Sequence, residues 1–100
     1  MATLTLTITD TNVSSVYVNG EEVEESMTME VPVGTIVECY TSVESSSDRN
    51  LAYLSINGVK TYHSEGDGFY PDYIVVGDAT INCGYEYGSD KYGYIEITEG

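Results

Sequence analysis

The chain has 100 residues. That is enough for one domain whose core hides roughly 60–70% of the surface the unfolded chain exposes. Hydrophobic residues make up 41%, which excludes a disordered chain. Three Lys and Arg stand against seventeen Asp and Glu, a formal net charge of −14. Such a charge repels phosphate backbones and anionic lipid and excludes nucleic acid and membrane surface as direct partners.

The elements follow one another as short alternating runs. Thr3-Leu-Thr-Leu-Thr-Ile-Thr9 places Leu4, Leu6 and Ile8 inward and the threonines outward. Asp10-Thr-Asn12 turns the chain. Val16-Tyr-Val18 and Glu21-Glu-Val23 flank Asn19-Gly20, a strong hairpin signal. Met27–Val31 alternates again and leads into Val31-Pro-Val-Gly-Thr-Ile-Val-Glu-Cys-Tyr-Thr-Ser-Val43. From Thr35 onward Val37, Cys39, Thr41 and Val43 share one face, and Ile36, Glu38, Tyr40 and Ser42 the other. This run is expected to be a central strand.

Residues 44–50 form a polar loop without periodicity, the candidate for an exposed, mobile tip. Leu51–Ile56 and Val59–Tyr62 surround a second Asn-Gly pair, Asn57-Gly58, and predict a second hairpin. His63–Gly68 is loop. The next segment is strand-like from Tyr73. Pro71 cannot donate to a ladder, which marks its start as an edge or a bend. Gly77-Asp78 turns the chain. Ala79, Ile81, Cys83, Tyr85 and Tyr87 then point to one side, Gly88–Lys91 turns back, and Tyr94–Thr98 closes the sheet with Ile95 and Ile97 inward.

About seven to nine short strands and no helical window predict an all-β fold, an antiparallel sandwich in a single domain spanning 1–100. The expected core is Leu4, Leu6, Ile8, Val16, Val18, Met29, Val37, Cys39, Val43, Leu54, Ile56, Val75, Ile81, Cys83, Ile95 and Ile97. No apolar run is long enough to span a bilayer as a helix, and no signal peptide is expected. Met1-Ala2 followed directly by a strand pattern reads either as a complete small frame or as a fragment given a start codon. Cys39 and Cys83 both face the expected core. A disulfide between sheets and a pair of buried free thiols are both open. The spacing fits no zinc pattern.

At Val16-Tyr-Val-Asn-Gly20, Val31-Pro-Val-Gly-Thr35 and Val75-Val-Gly-Asp-Ala-Thr-Ile-Asn82 the chain resembles the small immunoglobulin-like β-sandwich modules of bacterial surface proteins and tailed-phage virions. The resemblance implies an immunoglobulin-like sandwich. In its phage branch it implies a separate virion protein displayed on the head or tail, and in its surface branch a tandem module of an exported chain. Short length and the expected lack of an export signal favour the phage branch. The absence of Trp departs from antibody-type domains, and no catalytic residue is carried over.

Four groups of residues are candidates for function. The chain has ten tyrosines and one phenylalanine. Tyr85, Tyr87, Tyr92 and Tyr94 bracket one turn and could form a cross-strand ladder. Tyr85 and Tyr87 read better as core cover, whereas Tyr92 and Tyr94, with Tyr87 beside them, are the candidate partner-binding surface. Glu65, Asp67 and Asp72 are candidate Ca²⁺ ligands, set against an ordinary Gly-rich turn with solvated charges. Glu21–Glu25 reads as a solvated arm that blunts an edge, or else as a contact for a basic partner. His63 lacks the companions of a triad or metal site. The chain is therefore expected to be non-enzymatic and without cofactor. We expect a phage capsid decoration protein on the particle exterior, docked on capsid or tail proteins. The alternative is a carbohydrate-binding or adhesin module, with a glycan partner and a cell-surface location.

Overall fold

The computed structural model describes residues 1–9, 14–45, 52–62, 70–86 and 91–100, and for 43–45, 85–86 and 91–92 the backbone alone. Among these residues there are eleven strands and no helix: β1 (Ala2–Ile8), β2 (Ser14–Val18), β3 (Glu21–Glu22), β4 (Met27–Val31), β5 (Ile36–Thr41), β6 (Val43–Ser45), β7 (Tyr53–Ile56), β8 (Val59–Tyr62), β9 (Asp72–Ile74), β10 (Ala79–Glu86) and β11 (Lys91–Glu99). They form two sheets. The larger runs β4-β1-β10-β11-β7-β8, with β6 also paired to β11, and the smaller runs β3-β2-β5-β9.

Both Asn-Gly pairs close two-residue hairpins. Asn19 and Gly20 have φ of 54° and 80°, Asn57 and Gly58 of 52° and 85°. Positive φ at both central positions is what a hairpin turn matching strand twist requires, and Asn and Gly tolerate it. The register follows: Val18 faces Glu21 and Ile56 faces Val59.

The long run from Val31 to Val43 is three pieces rather than one strand. Val31 ends β4 in the larger sheet, β5 is an interior strand of the smaller, and β6 returns to the larger. The break has a local cause. Pro32 lacks a donor, Gly34 takes φ of 96°, and Thr35 donates to the Pro32 carbonyl from both its backbone N–H (3.1 Å) and its hydroxyl (2.7 Å). These short pieces raise the strand count above the seven to nine expected. The sandwich is also not purely antiparallel, because β1 runs parallel to β10 and β7 parallel to β11. Alternation reports which face a residue takes, not the direction of its neighbour.

The core lies between the sheets. Leu4, Leu6, Ile81, Ile95 and Ile97 from the larger sheet meet Val16, Val37 and Tyr73 from the smaller, with Val75 just beyond β9. Ile8, Met29 and Ile56 pack on this core only partly buried, and the Val43 side chain lies outside the described residues. Ala2, Val23, Val31, Ala52, Tyr53 and Tyr73 are buried beyond the expected set. Ser14 and Tyr73, both of the smaller sheet, make polar contacts that tie the layers together. Ser14 on β2 donates to the Gly84 carbonyl on β10 at 2.7 Å. Tyr73 on β9 donates to Glu99 Oε2 on β11 at 2.6 Å, and Asn57 donates to Glu99 Oε1 at 2.9 Å.

Candidate functional site

Tyr94 occupies the outer face of the larger sheet. Strand alternation puts Ile95 and Ile97 inward, so Tyr94 and Glu96 point out. Tyr94 pairs with Gly84 on one side and Tyr53 on the other, and Tyr53 pairs with Tyr62. The Tyr94 ring fills the space a side chain at position 84 would take. Tyr53 and Tyr94 stack, with centroids 5.6 Å apart and planes 11° apart, and Tyr62 is tilted against Tyr53 at 5.7 Å. Lys60 Nζ sits 4.4 Å from the centre of the Tyr53 ring, and the Tyr53 hydroxyl donates to Glu96 Oε2 at 3.2 Å. Tyr53, at the centre of this row, is closed in by two rings, a cation and a carboxylate, while Tyr62 at the row's end is half-exposed. Tyr92 is on β11, but its side chain and that of Tyr85, like residue Tyr87 altogether, lie outside the described residues.

The outer face of the smaller sheet is built otherwise. On β2 and β5 the inward positions are Val16, Val18, Val37, Cys39 and Thr41, which leaves Ser15, Tyr17, Ile36, Glu38 and Tyr40 outward. On β9 and the residues after it Tyr73 and Val75 are buried, while Asp72, Ile74 and Val76 face out. Cross-strand register then sets three rows: Ile36 opposite Ile74, Tyr17 beside Glu38 beside Asp72, and Ser15 beside Tyr40. Tyr70 completes the third row, its ring tilted on Tyr40 at 4.8 Å. Pro71 makes β9 an edge at this point: it cannot donate, but its carbonyl accepts from the Cys39 N–H at 2.9 Å. Tyr17, Tyr40, Tyr70, Glu38, Asp72 and Ser15 line a cleft of about 310 Å³. Beside it Ile36, Ile74 and Val76 are 52, 58 and 63% exposed.

The electrostatics of the cleft are one-sided. Glu38 and Asp72 are exposed and directly opposite each other, an arrangement that costs stability when both are charged. Among the described residues neither carboxylate has an ion-pair or hydrogen-bond partner. Burial pushes the Cys39 thiol beneath this face up to about 12, with the neighbouring Cys83 and the Asp72 carboxylate adding to it. Cys39 and Cys83 are both buried and are not joined in a disulfide. At the seam between the sheets burial and then the bond to Glu99 hold Tyr73 above the usual tyrosine range, while the hydrogen bonds from Tyr73 and then Asn57 hold Glu99 below the usual carboxylate range.

Asp72 sits on β9 in the cleft, whereas Glu65 and Asp67 lie outside the described residues, as does His63. No three His, Cys, Asp or Glu side chains cluster as a metal site among the described residues. Glu21 and Glu22 form β3, the exposed edge of the smaller sheet, and Tyr17 donates weakly to Glu22 at 3.4 Å. A wide groove of about 780 Å³ runs between this edge and Met27 and Met29 of β4. The Tyr17–Tyr40–Tyr70 cleft was not singled out by sequence reasoning. Its signal was present in the outward parity of Ile36, Glu38 and Tyr40, an apolar, charged and aromatic mixture unlike the threonines on the outside of β1.

No protein-family model, curated protein or solved structure matches this chain.

Proposed function

We propose that the chain is a non-enzymatic docking module that presents the outer face of its smaller sheet to a larger protein assembly. The observation that carries this reading is the uncovered strip Ile36, Ile74 and Val76 alongside the tyrosine cleft. Ile36 and Ile74, paired in register across two strands, with Val76 just beyond them, are branched apolar side chains that lose water-exposed area and little entropy when covered. Aromatic rings beside them add contact at low entropic cost. In its phage branch the sequence resemblance supports one class of assembly: an immunoglobulin-like module on the exterior of a phage virion, acting as capsid decoration. In that setting the acidic remainder of the surface faces solvent and keeps particles apart.

The test is sedimentation of particles produced from the genome that encodes the chain. The protein is expected in the particle band at a fixed stoichiometry, and I36D/I74D is expected to leave it while keeping the wild-type melting temperature. Wild-type protein found only in the particle-free fraction overturns the reading. The cleft also gives the glycan reading its footing, since tyrosine faces beside carboxylates stack on and hydrogen-bond to sugars. Binding on a glycan array that Tyr40→Ala abolishes would carry that reading, and silence across the array would end it.

A further inference from the structure

We infer that the cleft of Tyr17, Tyr40 and Tyr70 takes the guanidinium of an arginine side chain from the protein on which this module docks. The inference rests on the docking reading and goes beyond it to the chemistry of the contact.

The walls are aromatic. Tyr40 and Tyr70 meet at 4.8 Å with planes 47° apart, which leaves an angled pair of ring faces rather than a closed stack. Tyr70 is 73% exposed, so its ring is held over the sheet with one face open to solvent. The faces of such rings carry negative potential and attract cations. The far wall is anionic: Glu38 and Asp72 stand opposite each other in register with no partner among the described residues. Two like charges fixed face to face are relieved by a cation between them. A cleft of about 310 Å³ has room to admit one long side chain.

The larger sheet supplies the completed version of the same chemistry. There Lys60 lies 4.4 Å over the Tyr53 ring, with Glu96 accepting from the Tyr53 hydroxyl. Ring, cation and carboxylate are all provided by the chain itself. In the Tyr40 cleft the rings and carboxylates are in place, and no Lys or Arg is present among the described side chains that line it. Arginine suits the cleft better than lysine. Its plane stacks on a ring face while its forked donors reach two carboxylate groups at once. A chain with three basic residues in a hundred and a net charge of −14 also draws a basic partner from a distance.

The test is an NMR titration of the whole chain with the tripeptide acetyl-Gly-Arg-Gly-amide. Citrulline in place of arginine keeps the shape and removes the charge. Saturable shifts are expected at Tyr17, Glu38, Tyr40, Tyr70 and Asp72, weakened roughly tenfold with citrulline or in Tyr40→Ala. The double variant E38Q/D72N is expected to abolish the shifts while folding at least as well as wild type, because it removes the opposed charges. Equal shifts with citrulline, unchanged shifts in E38Q/D72N, or preferential binding of a neutral oligosaccharide would each overturn the inference. Particle binding that I36D/I74D abolishes and E38Q/D72N leaves intact would overturn it while the docking reading stands. Loss of particle binding in wild type alongside specific arginine shifts would do the reverse.

Discussion

The sandwich carries two tyrosine groups, one on each outer face, and they are put to opposite uses. On the larger sheet Tyr94, Tyr53 and Tyr62 form a row across three strands, with Gly84 giving Tyr94 room to lie flat. Tyr53 is only 9% exposed although it points away from the core. On the smaller sheet Tyr40 and Tyr70 touch each other, but Tyr70 stays open and no cation sits on the carboxylates beside them among the described residues. The same residue type therefore serves as internal cover in one place and as an unfilled contact in the other. What separates them is local electrostatic closure. Where a lysine and a carboxylate complete the group, the rings are spent on stability. Where only carboxylates are present, the rings remain available.

The comparison breaks most sharply at Tyr53. Tyr53→Ala removes the middle ring, opens a gap beside Tyr94 and leaves Lys60 without its ring, so it should cost about 3 kcal/mol or more by urea denaturation. Tyr40→Ala and Tyr70→Ala should each cost under about 1 kcal/mol, since their rings cover little. Equal costs on the two faces would remove the distinction.

The layer between the faces is expected to fail at high pH. Cys39 has a folded-state pKa of about 12 against an ordinary 9.0, so its contribution is fully present below pH 9 and is lost as pH rises towards 12. That loss has a ceiling of about 4 kcal/mol. Tyr73 is raised as well and acts in the same direction above its ordinary 10.0. Glu99 is lowered, so its contribution is present above the ordinary carboxylate value and lost as pH falls through the lowered one. Thermal melts followed by circular dichroism from pH 8 to 12 should drop steeply in wild type, less so in Cys39→Ala. A flat profile would show that neither group resists ionisation. The thiols should also resist alkylation until the chain unfolds.

Gly84 tests how tightly the closed row is fitted. A methyl group there meets the Tyr94 ring, so Gly84→Ala should cost about 1–3 kcal/mol. Tyr94→Ala in the same chain should recover part of that cost, and the coupling in a double-mutant cycle measures the contact. Additive effects would mean that the ring moves aside freely.

Much of this architecture was legible in the chain. Period-two alternation identified Leu4, Leu6, Val37, Ile81 and Ile97 as core, and the Asn-Gly pairs placed two hairpins. Four things were hidden. Parallel pairing of β1 with β10 leaves no mark on alternation, which is the same in either direction. The sheet switch at Pro32–Thr35 depends on turn hydrogen bonds within an otherwise strand-like run. Tyr53 was not among the expected core residues, because its burial comes from Tyr62 and Tyr94, one of them near the far end of the sequence. The cleft was hidden for a similar reason: Tyr17, Tyr40 and Tyr70 are far apart in sequence, and only sheet order brings them together.

Thr41 offers a smaller check on the boundary between polar and apolar positions. Its hydroxyl is fully buried with no hydrogen-bond partner among the described residues. Thr41→Val should therefore be neutral or stabilising by about 1 kcal/mol, because it removes a desolvated group of nearly the same shape. Destabilisation would reveal a partner for the hydroxyl.

The smallest expected effect bears most directly on the contrast between the faces. If Glu38 and Asp72 are held apart only by the sheet, neutralising them should stabilise the free protein. E38Q/D72N is expected to gain about 0.2–1 kcal/mol at low ionic strength. The gain should shrink when salt is raised, because the pair is exposed and screening weakens its repulsion. The opposite result is expected across the sandwich, where Lys60→Met should lose a few tenths of a kcal/mol by taking the cation from the Tyr53 ring. Opposite signs for charge removal on the two faces would mean that one face is electrostatically complete and the other waits for a partner's charge. If removing charge destabilised both, Glu38 and Asp72 would be structural residues and the cleft would have no unmet demand for a cation.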